Sequence, residues 1–142
     1  MLHLVFSTKN RECWIDAGIR PGLHAYLAGA CRAVGSEAYR VGGTDDHIHI
    51  ACTLPRTITV SKLLEEIKKS SSAWMKTQGK DYVKFAWQAG YGAFSLGQSQ
   101  ISTLLIYIEG QEEHHRTRTF KEEFIEFLKR YGVEYDEKYL WD

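Results

Sequence analysis

Apolar positions in this chain recur at two spacings, that of a strand and that of a helix, and the two alternate from start to end. LHLVFS, Leu2 to Ser7, is a short apolar run bounded by the polar TKNRE, and predicts a first strand. From about Ala17 to Val34, residues Leu23, Leu27, Ala30, Cys31 and Val34 recur at helical spacing. Pro21 stands in the first turns, where proline is tolerated, and Gly35 stops the helix. SEAYRVGG and HIHIACTL then read as the two strands of a hairpin turned by Thr44, Asp45 and Asp46.

A long helix is predicted from about Val60 to Met75, with Thr59 as N-cap. Gln88 to Leu96, QAGYGAFSL, predicts a glycine-containing fourth strand. A third helix is expected over Ser99 to Thr117. A fourth starts at Thr119, where TFKE has the form of a capping box, and ends near Gly132. The aromatic tail VEYDEKYLWD is expected to dock on the body. The first six elements run β-α-β-β-α-β, the ferredoxin-like or split βαβ order. The fold class is therefore α+β: an antiparallel sheet with helices on one face, extended by C-terminal helices. The other face is left for function, which the fold alone does not decide.

Composition narrows this picture. A chain of 142 residues fits one domain, here residues 1–142, and can bury a core without staples. Basic and acidic residues number 18 each, so no global charge signals nucleic acid, and any such contact must be local. Cys13, Cys31 and Cys52 are far apart and form no CxxC, which argues against a zinc ribbon or disulfide framework and for reduced thiols. MLHLVFSTKN does not read as a signal peptide, and no stretch approaches the roughly 18 apolar residues of a membrane span. The expectation is a cytoplasmic protein with no membrane partner.

Two constellations carry candidate chemistry. In His47-Ile48-His49-Ile50, strand alternation sends the isoleucines to one face and the histidines to the other. Two imidazoles about 6–7 Å apart along one face can converge on a metal, or can simply be polar residues on a solvated face. In Tyr107-Ile108-Glu109-Gly110-Gln111, Tyr107 and Gln111 share a helix face. The amide oxygen can complete a metal site and the phenol can attack what the metal holds; equally, the segment can be an amphipathic core helix. Gly110 costs about 1 kcal/mol inside a helix and is expected to permit close approach of a strand or of DNA backbone.

Taken together, the segments LVFSTKNR, TDDHIHIA, TLPRTITVSKLLEEIKKSSSAW, FAWQAGYGAFS and YIEGQEEHH, followed by YDEKYLWD, resemble the single-tyrosine HUH transposases. These enzymes move insertion sequences as single-stranded DNA, and REP-associated tyrosine transposases are their relatives. His47-Ile48-His49 matches the two histidines flanking a hydrophobic residue, and Tyr107 with Gln111 matches the Tyr-x-x-x-Gln of the family. The one departure is the short N-terminus, which puts the completeness of the first strand at issue.

The resemblance implies a single HUH transposase domain whose C-terminal catalytic helix carries Tyr107. It implies a divalent metal, Mg2+ or Mn2+, held by His47, His49 and Gln111. Tyr107 is then the nucleophile, forming a 5′-phosphotyrosine and freeing a 3′-hydroxyl. The substrate implied is single-stranded DNA with hairpins. The partner implied is a second copy of the chain, in a homodimer whose active sites are completed in trans. An uncharged stretch, residues 85 to 108, is compatible with such an interface.

Candidate DNA contacts are Lys9 and Arg11 after the first strand, and Lys68, Lys69 and Lys76 on the second helix. Asp45 and Asp46 read either as turn residues or as groups that orient the histidines. His114 could assist Tyr107 or lie on the surface, and His3 and His24 have no partner legible in the sequence. Trp74 and Trp87 could stack on bases, but read first as core. Three rival readings are a non-catalytic nucleic-acid-binding module, an inactive or domesticated hairpin-binding protein, and a metal hydrolase without a covalent step.

Overall fold

A computed structural model describes residues 1–111 and 119–130. Its elements are β1 (Leu2–Ser7), α1 (Arg20–Ala33), β2 (Ala38–Gly43), β3 (His47–Cys52), α2 (Val60–Lys76), β4 (Gly92–Ser95), α3 (Ile101–Glu109) and α4 (Phe120–Arg130). The four strands form one sheet in the order β2-β3-β1-β4, with every neighbouring pair antiparallel. This is the expected α+β, split βαβ arrangement. β1 runs from Leu2 to Ser7 and pairs with β3 on one side and β4 on the other.

Local chemistry sets the boundaries. α1 begins later than its apolar spacing suggests, because the Asp16 carboxylate accepts from the N–H groups of Gly18 and Ile19 and holds a turn there. Thr59 caps α2 as expected, its hydroxyl accepting from Lys62 N at 3.0 Å. Thr119 caps α4 as expected: its Oγ1 accepts from Glu122 N at 3.2 Å and donates to Glu122 Oε1 at 3.1 Å, so Glu122 meets the cap's hydroxyl. β4 is shorter than expected. Trp87 makes only an isolated bridge to Thr8, and the Gln88 side chain, rather than a longer strand, accepts from Ser7 N.

α3 is preceded by a 3-10 turn over Gln98–Gln100, and its regular run ends at Glu109 with Gly110 as C-cap. The expected third helix beyond residue 111, with His114 and His115, and the aromatic tail lie outside the described residues.

The sheet is buried on both faces. Leu4, Phe6, Ile48, Ile50 and Cys52 turn to one face and pack against Leu23, Leu27 and Cys31 of α1 and Leu63, Leu64 and Ile67 of α2. Trp87 joins this cluster, with its indole N–H donating to Ser71 Oγ at 3.0 Å. The opposite face carries Val5 and Phe94 against Phe120, Phe124 and Leu128 of α4, and Ala51 against Leu104 and Ile108 of α3. The expectation of helices on one face thus holds for α1 and α2, while α3 and α4 cover the face expected to stay open. Two glycines seat these helices. A Cβ on Gly42 would stand 2.5 Å from the carbonyl oxygen of Ile108, and one on Gly92 would stand 2.6 Å from the Phe124 ring. Among the described residues, a Cβ on Gly110 would meet only carbonyls of its own helix, at 3.5 and 3.8 Å, and no strand.

Candidate metal and nucleophile site

β3 places His47 and His49 on the face covered by α3 and α4, because Ile48 and Ile50 occupy the other. Both imidazoles are fully buried. Each is held from behind through Nδ1. His47 Nδ1 lies 2.8 Å from Asp46 Oδ1 and 3.1 Å from Thr44 Oγ1. His49 Nδ1 lies 2.8 Å from Nε2 of His3, whose ring stacks on it with centroids 5.1 Å apart. Burial, with His49 alongside, holds the His3 imidazole well below its usual pKa, so His3 is neutral near pH 7.

Both Nε2 atoms therefore face inward. His47 Nε2 lies 3.0 Å from Oε1 of Gln111, and His49 Nε2 lies 2.7 Å from Oε1 of Glu123 on α4. The same carboxylate oxygen is 3.9 Å from His47 Nε2. His47, His49 and Glu123 each offer a ligand atom within 4.8 Å of the others. Imidazole nitrogens backed by hydrogen-bonding partners and faced by oxygen donors are the chemistry of a divalent-metal site.

Tyr107 lies on α3 at the same place, with ring centroid 5.6 Å from that of His49 and its body packed on the Val5–Phe94–Phe124 cluster. Gln111 stays close to it, donating from Nε2 to Tyr107 O at 3.4 Å. A cleft of about 350 Å³ opens beside the tyrosine, bordered by Leu96, Gln100, Thr103 and Arg130. α3 is held over β2 by the close contact at Gly42 and by the Arg40–Glu109 ion pair, 2.6 Å. The four residues expected at the centre, His47, His49, Tyr107 and Gln111, thus come together within one chain.

The basic residues are dispersed. Lys9 and Arg11 form a 3-10 turn after β1, next to the site, where Thr8 N donates to the Asp46 carbonyl at 2.8 Å. Arg11 takes φ +56° there, a left-handed conformation that is uncommon outside glycine. α2 covers the face away from the histidines. On it, Lys68 donates to the carbonyls of Gln88 and Gly90, Lys76 to that of Phe85, and Lys69 is exposed. Asp46 takes both roles open to it, turn residue and partner of His47. Cys31 and Cys52 are buried free thiols and Cys13 is an exposed one.

Two residues of the site escaped the sequence reading, His3 and Glu123. Their signals were positional. His3 falls between the core-facing Leu2 and Leu4, hence on the histidine face, and Glu123 falls inside the Phe120–Phe124–Leu128 stripe of α4. Among the described residues, no helix is long and apolar enough to cross a membrane.

A family model for IS200-like transposases matches residues 1–111. Two solved structures share the fold. A candidate transposase from Deinococcus radiodurans R1 aligns with a TM-score of 0.60 at 18% identity, over 78% of this chain and 88% of its own. A REP-associated tyrosine transposase bound to a REP hairpin aligns with a TM-score of 0.61 at 18% identity, over 80% of this chain and 67% of its own. No curated protein sequence matches the chain.

Proposed function

The chain belongs to the IS200-like transposase family, and from that premise we propose that it cleaves and rejoins single-stranded DNA at hairpin-bearing ends through a 5′-phosphotyrosine on Tyr107. The observation that carries this reading is the placement of the Tyr107 phenol ring 5.6 Å from His49, beside two inward-facing imidazole nitrogens.

His47, His49 and Gln111 would hold a divalent ion, Mg2+ or Mn2+. The fit is supported by the burial of all three side chains and by the Nδ1 contacts that leave both Nε2 atoms facing Gln111 and Glu123. Such an ion supplies Lewis-acid polarisation of the scissile phosphate. The chain does the rest. Asp46 and His3 fix the imidazoles, and α3 presents the phenol. Tyr107 Oη bonds to phosphorus as its proton leaves to solvent. The bond from phosphorus to the 3′-oxygen breaks, and that oxygen takes up a proton. A later 3′-hydroxyl attacks the phosphotyrosine and releases Tyr107. Each step exchanges one phosphoester for another, so no nucleotide cofactor is required.

The approach of DNA is supported by the cleft beside Tyr107 and by Lys9 and Arg11 at the near end of the sheet. Lys69 is a further candidate phosphate contact, whereas the amines of Lys68 and Lys76 already bond backbone carbonyls. The neighbour's REP hairpin supports a hairpin substrate here. A homodimer is also proposed: Ile106 on α3 is 70% exposed, an apolar side chain on the helix that bears the nucleophile. Within one chain the Tyr107 ring lies 5.6 Å from that of His49, and whether a tyrosine serves its own site or completes its partner's in trans is read by mixing variants.

The test uses hairpin-bearing single-stranded oligonucleotides tiled across the DNA flanking the gene, incubated with protein and Mn2+. A denaturant-resistant protein–DNA adduct is expected, absent in Tyr107→Phe. An adduct that survives in that variant would overturn the assignment of the nucleophile. Tight hairpin binding with no adduct under Mg2+ or Mn2+ would leave the domesticated hairpin-binding protein instead.

A further inference from the structure

Glu123 stands where an acidic side chain is costly. It lies on α4 among Phe120, Phe124 and Leu128, is 2% exposed, and turns its carboxylate to the sheet rather than to solvent. A carboxylate removed from water is destabilised unless something positive compensates it. One protonated histidine could do so, as a plain buried ion pair. The surroundings offer more than that. Two imidazoles present Nε2, one amide presents Oε1, and the carboxylate presents Oε1, with neighbouring separations of 2.7, 3.0 and 3.9 Å. Ligand atoms about 2.1 Å from a shared Mg2+ or Mn2+ stand roughly 3 Å apart when at right angles. An ion pair needs one imidazole, whereas here His47 and His49 of β3 and Glu123 of α4 bring ligand atoms within 4.8 Å of one another, with the Gln111 amide oxygen against His47.

We infer that Glu123 is a fourth protein ligand of the divalent ion, and that metal binding therefore fastens α4 to the sheet. This rests on the reading of His47, His49 and Gln111 as metal ligands. It extends that reading in two ways. A carboxylate changes the donor set from two nitrogens and one oxygen to two of each, and its charge halves that of the bound dication. Both changes favour the harder ions, Mg2+ and Mn2+, over softer competitors. The ligand also comes from a separate helix, so the ion joins α4 to a sheet against which it packs its phenylalanines at Val5 and Phe94.

The experiment measures Mn2+ binding to the full chain by electron paramagnetic resonance of the free ion, and hydrogen exchange of residues 120–130 with and without Mn2+. Wild type is expected to bind Mn2+ and to slow exchange along α4. Glu123→Gln is expected to weaken binding at least about tenfold and to abolish the slowing. If Glu123→Gln binds as tightly as wild type while His47→Ala does not bind, the carboxylate is no ligand and the histidine site stands. If wild type and His47→Ala bind alike, or neither binds, the histidine site itself falls, and this inference with it. Should Glu123→Gln fail to fold by circular dichroism, the wild-type exchange decides: Mn2+ that binds through His47 yet leaves α4 exchange unchanged overturns the proposal.

Discussion

His3 Nε2 sits 2.8 Å from His49 Nδ1, across the β1–β3 pairing and two residues off the direct register. The contact fixes which nitrogen of His49 faces the site, since the other is committed to β1. Partners of this kind set the tautomer and basicity of a ligating histidine. His3→Ala is expected to lower Mn2+ affinity about 10–100-fold, the usual loss for such a partner, with His3→Gln recovering part of it by restoring a hydrogen-bonding side chain. Isothermal titration calorimetry reads both. Unchanged affinity in His3→Ala would reduce the contact to packing.

Gly42 and Gly29 make a paired prediction about space. A methyl group at Gly42 meets the Ile108 carbonyl oxygen, whereas one at Gly29, in α1, meets nothing within 4 Å. Gly42→Ala is expected to destabilise by about 1–3 kcal/mol through overpacking and to reduce adduct formation by shifting α3 and its tyrosine. Gly29→Ala is expected to stabilise by about 0.5–1 kcal/mol, because alanine is the better helix residue. Thermal denaturation of the two variants against wild type checks the signs. Equal stability would mean that α3 is not seated at Gly42.

The Tyr82 hydroxyl donates to the Asp16 carboxylate, which pushes the phenol up to about 12 and holds the carboxylate below its usual range. The phenol's folded value is raised, so its contribution is full below about pH 10 and is lost as pH rises through about 12. The carboxylate's folded value is lowered, so its contribution is present above the ordinary value of about 4 and is lost as pH falls through the folded one. The contact therefore acts across the whole neutral range. In Tyr82→Phe the Asp16 carboxyl is expected to titrate higher, followed by carbon NMR of the side chain. An unmoved titration would show that the contact is absent in solution.

Mixing tests how the site is shared. Tyr107→Phe removes the proposed nucleophile and His47→Ala a proposed metal ligand. Because Tyr107, His49 and Gln111 meet within one chain, equimolar mixtures of the two variants are expected to form no more adduct than either alone. Recovery of adduct toward a quarter to a half of wild type would instead mean that the tyrosine helix is exchanged between protomers.

Much of this was legible in the residues. The strand period of HIHIAC dictated which way the histidines point, and the Tyr107–Gln111 spacing dictated that they stay together. The strand order followed from the element order, since β-α-β-β-α-β has few ways to pair. What was not legible depends on pairing partners distant in sequence. His3 meets His49 only once β1 and β3 take their register, which is 46 residues of separation. Glu123 meets the histidines only because α4 turns its phenylalanine stripe toward Val5 and Phe94. Gly110 was read as a point of close approach. Among the described residues the close approach to a strand is made at Gly42, where the edge strand gives way to Ile108.

The site draws on residue 3, on 47 and 49, on 107 and 111, and on 123. Its histidines belong to central strands whose partners lie far apart along the chain. Such long-range pairings form late, since loops must close before their contacts repay the lost entropy. During synthesis, which releases the chain from its N-terminus, the histidine pair therefore exists long before the tyrosine and the last carboxylate do. A nascent chain that has not yet reached residue 107 carries the histidine pair without the proposed nucleophile.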